Sequence, residues 1–120
     1  MEFLWATITV RNMEESLEFY QEIVGLSLNR RVQSNETTEL AFLGDGQTQI
    51  ELIHHSGRQA PETGKGISLG FAVEDLELMM ERIKDKGLTM YDGPFAPTPH
   101  VRFFYVLDPN GLKIQFVERR

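Results

Sequence analysis

The sequence predicts an α+β fold of two tandem β-α-β-β-β modules, whose curved mixed sheets surround a cup, the concave space lined by the sheet faces that carry no helix. Strand-like runs alternate with two amphipathic helical segments, and the same order of segments occurs twice. Val10 and Val73 lie 63 residues apart, as do Tyr20 and Ile83. We therefore expect one domain over residues 1–120, with module 1 at 3–54, a linker at 55–66 and module 2 at 67–120.

Module 1 begins with an apolar, β-favouring run at residues 3–10, which predicts the first strand. Asn12 offers an N-cap oxygen to a following helix, in which apolar residues recur at spacings of three and four. Gly25 is the expected C-terminal stop. Three more strand-like runs follow at residues 27–33, 39–43 and 47–54.

Module 2 follows a polar segment, residues 55–66, whose turn-forming residues indicate a linker. A strand is predicted at residues 67–73, and Asp75 then caps a helix that ends at Gly87. The three prolines of residues 93–99 predict a stiff loop bordering the cup. The remaining strands are expected at residues 88–91, 100–107 and 113–118.

Composition narrows the classes of function. The formal charge of -6 and the pI near 5.0 argue against binding to nucleic acid, which needs a basic surface. The absence of cysteine excludes disulfides, a thiolate nucleophile and a zinc-thiolate site. With no signal-peptide pattern and no apolar run of about 20 residues, we expect a soluble, cytoplasmic protein that binds a small molecule.

Side-chain alternation assigns part of each outer strand to the cup. Successive residues of a strand point to opposite faces, and the face turned away from the helix lines the concavity. The predicted cup is mixed, with polar groups on an apolar floor. Its candidate ligand-binding residues are Trp5, Thr7, Glu51, Ile53 and His55 in module 1 and Ser68, Gly70 and Gln115 in module 2.

Two further candidates, His100 and Arg102, follow the proline-containing loop. Arg102 is a candidate for holding an anionic ligand group, although a surface arginine at a strand end is an equal alternative. His54 and His55 are adjacent in one strand and therefore point to opposite faces, which disfavours chelation of one ion by both.

Three segments resemble the recurring motifs of the vicinal oxygen chelate superfamily, which contains glyoxalases, bleomycin resistance proteins and extradiol dioxygenases. They are Val10-Arg11-Asn12-Met13-Glu14-Glu15-Ser16-Leu17-Glu18-Phe19-Tyr20 with Val24-Gly25-Leu26, then Ile50-Glu51-Leu52, and Asp108-Pro109-Asn110-Gly111-Leu112-Lys113-Ile114-Gln115-Phe116. The resemblance covers essentially the whole chain. It implies the glyoxalase/bleomycin-resistance fold and a homodimer, and it leaves open whether modules pair within or between chains.

The same resemblance implies a divalent metal held at four corners of the cup, which fall on Trp5, Glu51, Ser68 and Gln115 of this sequence. Only Glu51 is a strong ligand type, because indole has no lone pair to offer and a serine or glutamine oxygen is a weak donor. We therefore expect no metal and no other cofactor, with a divalent metal as the alternative.

Three hypotheses of function follow. The first is metal-free binding of a small, partly aromatic, neutral or cationic molecule, with Trp5 as a stacking platform rather than a core residue. The second is a metal-dependent lyase, isomerase or dioxygenase that uses Glu51 with His55 or His100. The third is a metal-free isomerase or epimerase with Glu51 as catalytic base. An equal alternative gives Glu51 no chemical role, only a hydrogen bond to Gln115 or Ser68.

Overall fold

The computed structural model describes residues 1–62 and 64–120, which form two compact units, one on each side of that gap. Unit 1 contains Met1–Glu62, and unit 2 contains the described residues from 64 onward. Neither unit has a described helix of the length and apolar character needed to cross a membrane.

Unit 1 is a four-stranded mixed sheet with one helix. Its strands have the order β1-β4-β3-β2, and β1 runs parallel to β4 while the other neighbours are antiparallel. A helix connects β1 to β2, and hairpins connect the later strands. The elements are β1 (Trp5–Thr9), α1 (Met13–Glu18) continued by a π-helical segment (Phe19–Ile23), β2 (Leu28–Gln33), β3 (Thr38–Leu43) and β4 (Gln49–His55).

Unit 2 repeats this arrangement. Its strands have the order β5-β8-β7-β6, again with one parallel pair, β5 and β8. The register of the parallel pair matches as well, because Thr7 pairs with Glu51 in unit 1 and Gly70 pairs with Gln115 in unit 2. The predicted α+β fold is confirmed. The elements are β5 (Ser68–Ala72), α2 (Leu76–Asp85), β6 (Asp92–Thr98), β7 (Val101–Leu107) and β8 (Lys113–Arg119).

Both helices begin where the sequence places their caps. The Asn12 side chain accepts a hydrogen bond from the Glu15 amide at 2.9 Å, and the Asp75 side chain accepts one from the Leu78 amide at 3.1 Å. Each cap pairs one of the amides that an N-terminal helical turn leaves without a backbone partner.

The first helix differs from the expected continuous α-helix, because it changes to π-helical geometry at Phe19. The wider turn places the consecutive aromatic side chains of Phe19 and Tyr20 against the core, and both are buried. Their rings meet edge to face, with centroids 5.0 Å apart. Helical spacing of the apolar residues predicts a helix here but does not distinguish these two geometries.

The sixth strand is also displaced from its predicted position. Residues 88–91 form no strand, and β6 instead occupies Asp92–Thr98, within the segment predicted as a loop. Prolines are tolerated because β6 is an edge strand paired only with β7, and the ladder is irregular on both sides of Phe95, where Pro94 and Pro97 lie. At the predicted boundary between module 1 and the linker, β4 extends through His55, one residue into the linker.

The core of each unit lies between the helix and one face of its sheet. Ile8 in β1 and Val10 directly after it are 6% and 1% exposed on the helix side, whereas Trp5 on the other face is 46% exposed. The same alternation buries Ile114 and Phe116 in β8. Burial of these apolar side chains fixes the faces of the strands, because a slip of one residue would turn the whole apolar set into water. The face of each sheet opposite the helix is called its open face.

Candidate ligand-binding site

The open face of unit 1 presents a row of four side chains across all four strands. Thr7 of β1 pairs with Glu51 of β4, Glu51 with Phe42 of β3, and Phe42 with Arg30 of β2. Residues paired in this way point to the same side of a sheet. A hydroxyl, a carboxylate, an aromatic ring and a guanidinium are therefore neighbours on one surface, with Trp5 two residues before Thr7.

Trp5 lies at one edge of this surface and is nearly half exposed. Its ring meets the Phe42 ring edge to face, with centroids 5.5 Å apart and planes at 72°. The Arg30 guanidinium carbon lies 5.1 Å from the centre of the Phe42 ring, a cation-π distance. Together these side chains border a concavity of about 400 Å³ that is lined by Trp5, Asn29, Arg30, Phe42 and Gln49.

Glu51 is half-buried and takes part in a specific hydrogen bond. The Thr7 hydroxyl donates to one carboxylate oxygen of Glu51 at 2.5 Å. This hydrogen bond connects the two parallel strands and restrains the orientation of the carboxylate. Among the cup residues expected from the sequence, Thr7 and Glu51 are thus brought into direct contact.

His55 and Ile53 continue the same face toward the end of β4. The Nδ1 atom of His55 lies 3.1 Å from the Thr38 hydroxyl oxygen on the neighbouring strand. His55 also lines a second concavity with residues 58–61, at the opposite end of β1 from Trp5. The adjacent His54 belongs to the other face, as strand alternation predicts.

The open face of unit 2 carries Ser68 and Gly70 on β5 and Gln115 on β8. The Gln115 amide nitrogen donates to the Tyr105 hydroxyl at 3.3 Å. A Cβ atom built at Gly70 would lie 3.1 Å from the Gln115 Oε1 atom, so the glycine leaves room for that side chain. Lys113 places its ammonium group 4.3 Å from the centre of the Tyr105 ring. Gln115 is consequently held toward β7, beside an aromatic ring.

Sequence reasoning missed an aromatic cluster on this open face. Phe95, Phe103 and Tyr105 pack with ring centroids 5.5 to 6.5 Å apart, and Phe95 remains 41% exposed. Alternation within β7 carries the relevant signal, because Phe103 and Tyr105 are two residues apart and share a face. Phe95 was not singled out because the sequence predicts a loop at residues 93–99. Phe42 and Arg30 of unit 1 were likewise not singled out from the sequence.

Arg102 and His100 lie away from the open face. Arg102 pairs across β7 and β8 with Glu118 on the helix side, where its guanidinium contacts Glu77 at 2.6 Å and Glu118 at 3.1 Å. These two carboxylates pair with the terminal nitrogens of the guanidinium on the helix side, away from the predicted cup. His100 is exposed at the turn between β6 and β7, where its backbone amide donates to the Thr98 hydroxyl.

Glu118 is the centre of this helix-side cluster, and it is 5% exposed. The Leu76 backbone amide donates to its carboxylate at 2.8 Å, and the Arg120 and Arg102 side chains donate as well. These three donors, the amide first, lower the pKa of Glu118 to about 2. The Arg102 guanidinium also lowers the pKa of Glu77. The cluster fastens the start of α2 to β7 and β8.

The residues at the four family corners do not fit a divalent metal. Trp5 offers no lone pair, Ser68 and Gln115 offer weak neutral oxygens, and Glu51 alone is a strong ligand type. Within residues 1–62 and 64–120, one group of three acidic or histidine side chains has ligand atoms close together, and Arg102 already pairs with two of its carboxylates. That group is Asp75, Glu77 and Glu118.

The sequence is similar to proteins that are named as lactoylglutathione lyases. A lactoylglutathione lyase from Neisseria meningitidis is 33% identical over 128 residues, which cover 100% of this chain and 92% of that protein. A probable lactoylglutathione lyase from Synechocystis is 34% identical over 127 residues, covering 98% of this chain and 95% of the relative.

Solved structures show the same fold. A glyoxalase I from Leishmania major superposes with a TM-score of 0.85 at 22% identity, covering 98% of this chain and 86% of that chain. A glyoxalase I mutant from Zea mays gives a TM-score of 0.87 at 25% identity, covering 98% of this chain and 44% of that chain.

The sequence profile of one superfamily matches almost the whole chain, over residues 2–116. The match spans both units, and it agrees with the motifs that first indicated the resemblance. The chain therefore belongs to the glyoxalase, bleomycin resistance protein and dioxygenase superfamily.

Proposed function

We propose that this protein binds a small, partly aromatic, neutral or cationic molecule on the open face of unit 1 and does so without a divalent metal. The observation that carries the proposal is the exposed indole of Trp5 at the position where the family resemblance implies a metal ligand. An exposed tryptophan beside a concavity offers a planar apolar surface for stacking.

The neighbours of Trp5 support this use of the indole. Phe42, which is only 8% exposed, contacts the indole edge to face, and the indole itself remains 46% exposed. Glu51, fixed by Thr7, supplies a negative charge on the same surface. The formal charge of -6 further favours a neutral or cationic ligand over an anionic one.

Trp5 also supplies the assay, because it is the sole tryptophan. Titration of its fluorescence with three bicyclic aromatic probes should give saturable quenching by 1-methylquinolinium and by quinoline, and weaker quenching by 2-naphthoate. A Glu51→Gln variant should reduce the preference for the cationic probe over the neutral one. The absence of saturable quenching by all three probes would contradict the proposal.

The named relatives favour a second candidate, a metal-dependent lyase acting on lactoylglutathione, as the names of the Neisseria and Synechocystis proteins indicate for those proteins. It requires Glu51 to bind the metal together with ligands outside the corners, such as His55 or His100, because the other corner residues are weak donors. The thioester absorbance of lactoylglutathione, followed with added Ni²⁺ or Zn²⁺, tests it. Turnover that is abolished by a chelator and by Glu51→Gln would favour this candidate over metal-free binding.

We further propose a homodimer, as the family resemblance implies. Light scattering coupled to size-exclusion chromatography should give about twice the chain mass of 13.8 kDa. A mass of one chain across the micromolar range would contradict this part of the proposal.

A further inference from the structure

A second concavity in unit 1, of about 230 Å³, lies where β1 and β4 end and the following segment turns back. It is distinct from the concavity beside Trp5, and the two have no lining residue in common. From Trp5 to Thr9 the strand advances by four residues, or about 13 Å. The lining residues are Thr9, Val10, His55, Arg58, Gln59, Ala60 and Pro61.

The polar side chains that line this concavity are all capable of donating hydrogen bonds. Arg58 contributes a guanidinium, and no ion pair joins it to a carboxylate of the described residues. The Nδ1 atom of His55 lies 3.1 Å from the Thr38 hydroxyl oxygen, and in the tautomer with the proton on Nε2 the hydroxyl donates to Nδ1 while Nε2 is a donor. Thr9 and Gln59 add a hydroxyl and an amide. None of the described residues that line the concavity is an aspartate or a glutamate.

This chemistry selects a carboxylate. A guanidinium presents a planar fork of N–H donors that matches the two oxygens of a carboxylate, and hydrogen bonds to an ionised acceptor are stronger than neutral ones. The remaining lining residues, Val10, Ala60 and Pro61, are apolar and suit a short hydrocarbon chain better than a fully hydrated inorganic anion. The chain has a net charge of -6, yet the described side chains that line this concavity include a guanidinium and no carboxylate.

We infer that this concavity binds the carboxylate of a small aliphatic monocarboxylate, with Arg58 as the principal donor and His55 and Thr9 as secondary donors. The site goes beyond the proposed function, because it requires neither the Trp5 surface nor a metal. A carboxylate group on a longer ligand would be recognised by the same chemistry.

Titration with sodium propionate, followed by NMR, tests this site directly. The Arg58 Nε–H and His55 side-chain signals should shift saturably, at a constant ionic strength maintained with sodium chloride. Propionamide, which has nearly the same shape without the charge, should produce shifts that do not saturate. Arg58→Gln should weaken propionate binding about 3- to 10-fold, as expected for loss of a partly exposed charged donor.

Two control variants test whether the effect is specific to Arg58 and independent of the surface at Trp5. Arg119→Gln removes an exposed arginine of β8 and should leave propionate affinity unchanged. Trp5→Ala should also leave it unchanged, which separates this site from the proposed aromatic site. The inference is overturned if propionate and propionamide give the same response, if chloride alone reproduces the shifts, or if Arg58→Gln binds propionate as tightly as the wild type.

Discussion

Glu118 shows how one side chain can connect a helix to a sheet. Its carboxylate accepts from the first amide of α2, at Leu76, and from Arg102 and Arg120. The amide is among those that a helix N-terminus leaves without a backbone partner, so a negative group is favoured there. The alternation of β8 predicts that residue 118 faces the core side, but the sequence does not indicate which donors will surround it.

The low pKa of Glu118 gives a prediction about stability and pH. Its value of about 2 in the folded protein lies below the ordinary value of 4.5, so its contribution is present above pH 4.5 and is lost as the pH falls toward 2. We expect Glu118→Gln to lower the melting temperature at pH 7 by several degrees. Calorimetry from pH 7 to pH 2 should show the gap between variant and wild type closing.

A suitable control for that experiment is Glu81→Gln, which changes an exposed carboxylate in the middle of α2. Its melting temperature should follow that of the wild type at every pH. A constant gap between Glu118→Gln and the wild type down to pH 2 would contradict the assigned role of this carboxylate.

Single residues also show where sequence reasoning succeeds and where it fails. Alternation correctly predicts that Trp5 and Thr7 lie on the face opposite Ile8, because burial of apolar groups enforces the period of two. For Arg102 the sequence suggested a position at a strand end but not a face. Its place on the helix side depends on pairing with Glu118, which is 16 residues away in the chain.

At the scale of helices and strands, the caps are the most predictable features, because they depend on residues that are adjacent in sequence. The π-helical segment Phe19–Ile23 and the edge strand β6 were not predicted. Both depend on tertiary packing: the first on burial of two consecutive aromatic rings, the second on pairing with β7. Local propensity opposes β6 in particular, since Pro94 and Pro97 lack amide donors.

The cap of α2 gives a prediction at this scale. Asp75→Ala removes the acceptor for the Leu78 amide and should lower the free energy of unfolding by about 1 kcal/mol. Asp75→Asn keeps a side-chain oxygen and should remain within a few tenths of a kcal/mol of the wild type. Urea unfolding of the three proteins measures both values. Equal destabilisation by alanine and asparagine would show that the charge matters rather than the cap.

At the scale of the whole chain, the fold and the family follow from the sequence, whereas the chemistry of the site does not. The 63-residue offset is visible because both units need the same cap, helix face and strand pairing to bury a core. A shared fold leaves function open, since function depends on the particular side chains at a site. The row formed by Thr7, Glu51, Phe42 and Arg30 became apparent only from the register of the strands.

The proposal that the corner residues hold no metal can be tested by replacing them with strong ligands. A variant that combines Trp5→His, Ser68→His and Gln115→Glu would give the four family corners strong donor groups alongside Glu51. Elemental analysis after incubation with Ni²⁺ or Zn²⁺ and gel filtration should find about one ion per site in this variant and much less in the wild type. Equal metal content in the two proteins would contradict the proposal that the natural corner residues do not hold a metal.

Calorimetric titration of EDTA-treated protein with 1-methylquinolinium tests whether binding depends on Trp5 and proceeds without a divalent metal. We expect saturable binding by the wild type, affinity at least tenfold weaker for Trp5→Ala, and substantial recovery in Trp5→Phe, which retains a stacking surface. Tyr91→Ala, which removes an exposed aromatic residue of unit 2, should bind as the wild type does. Undiminished affinity in Trp5→Ala, or binding that appears only after a divalent metal is restored, would contradict metal-free binding through Trp5.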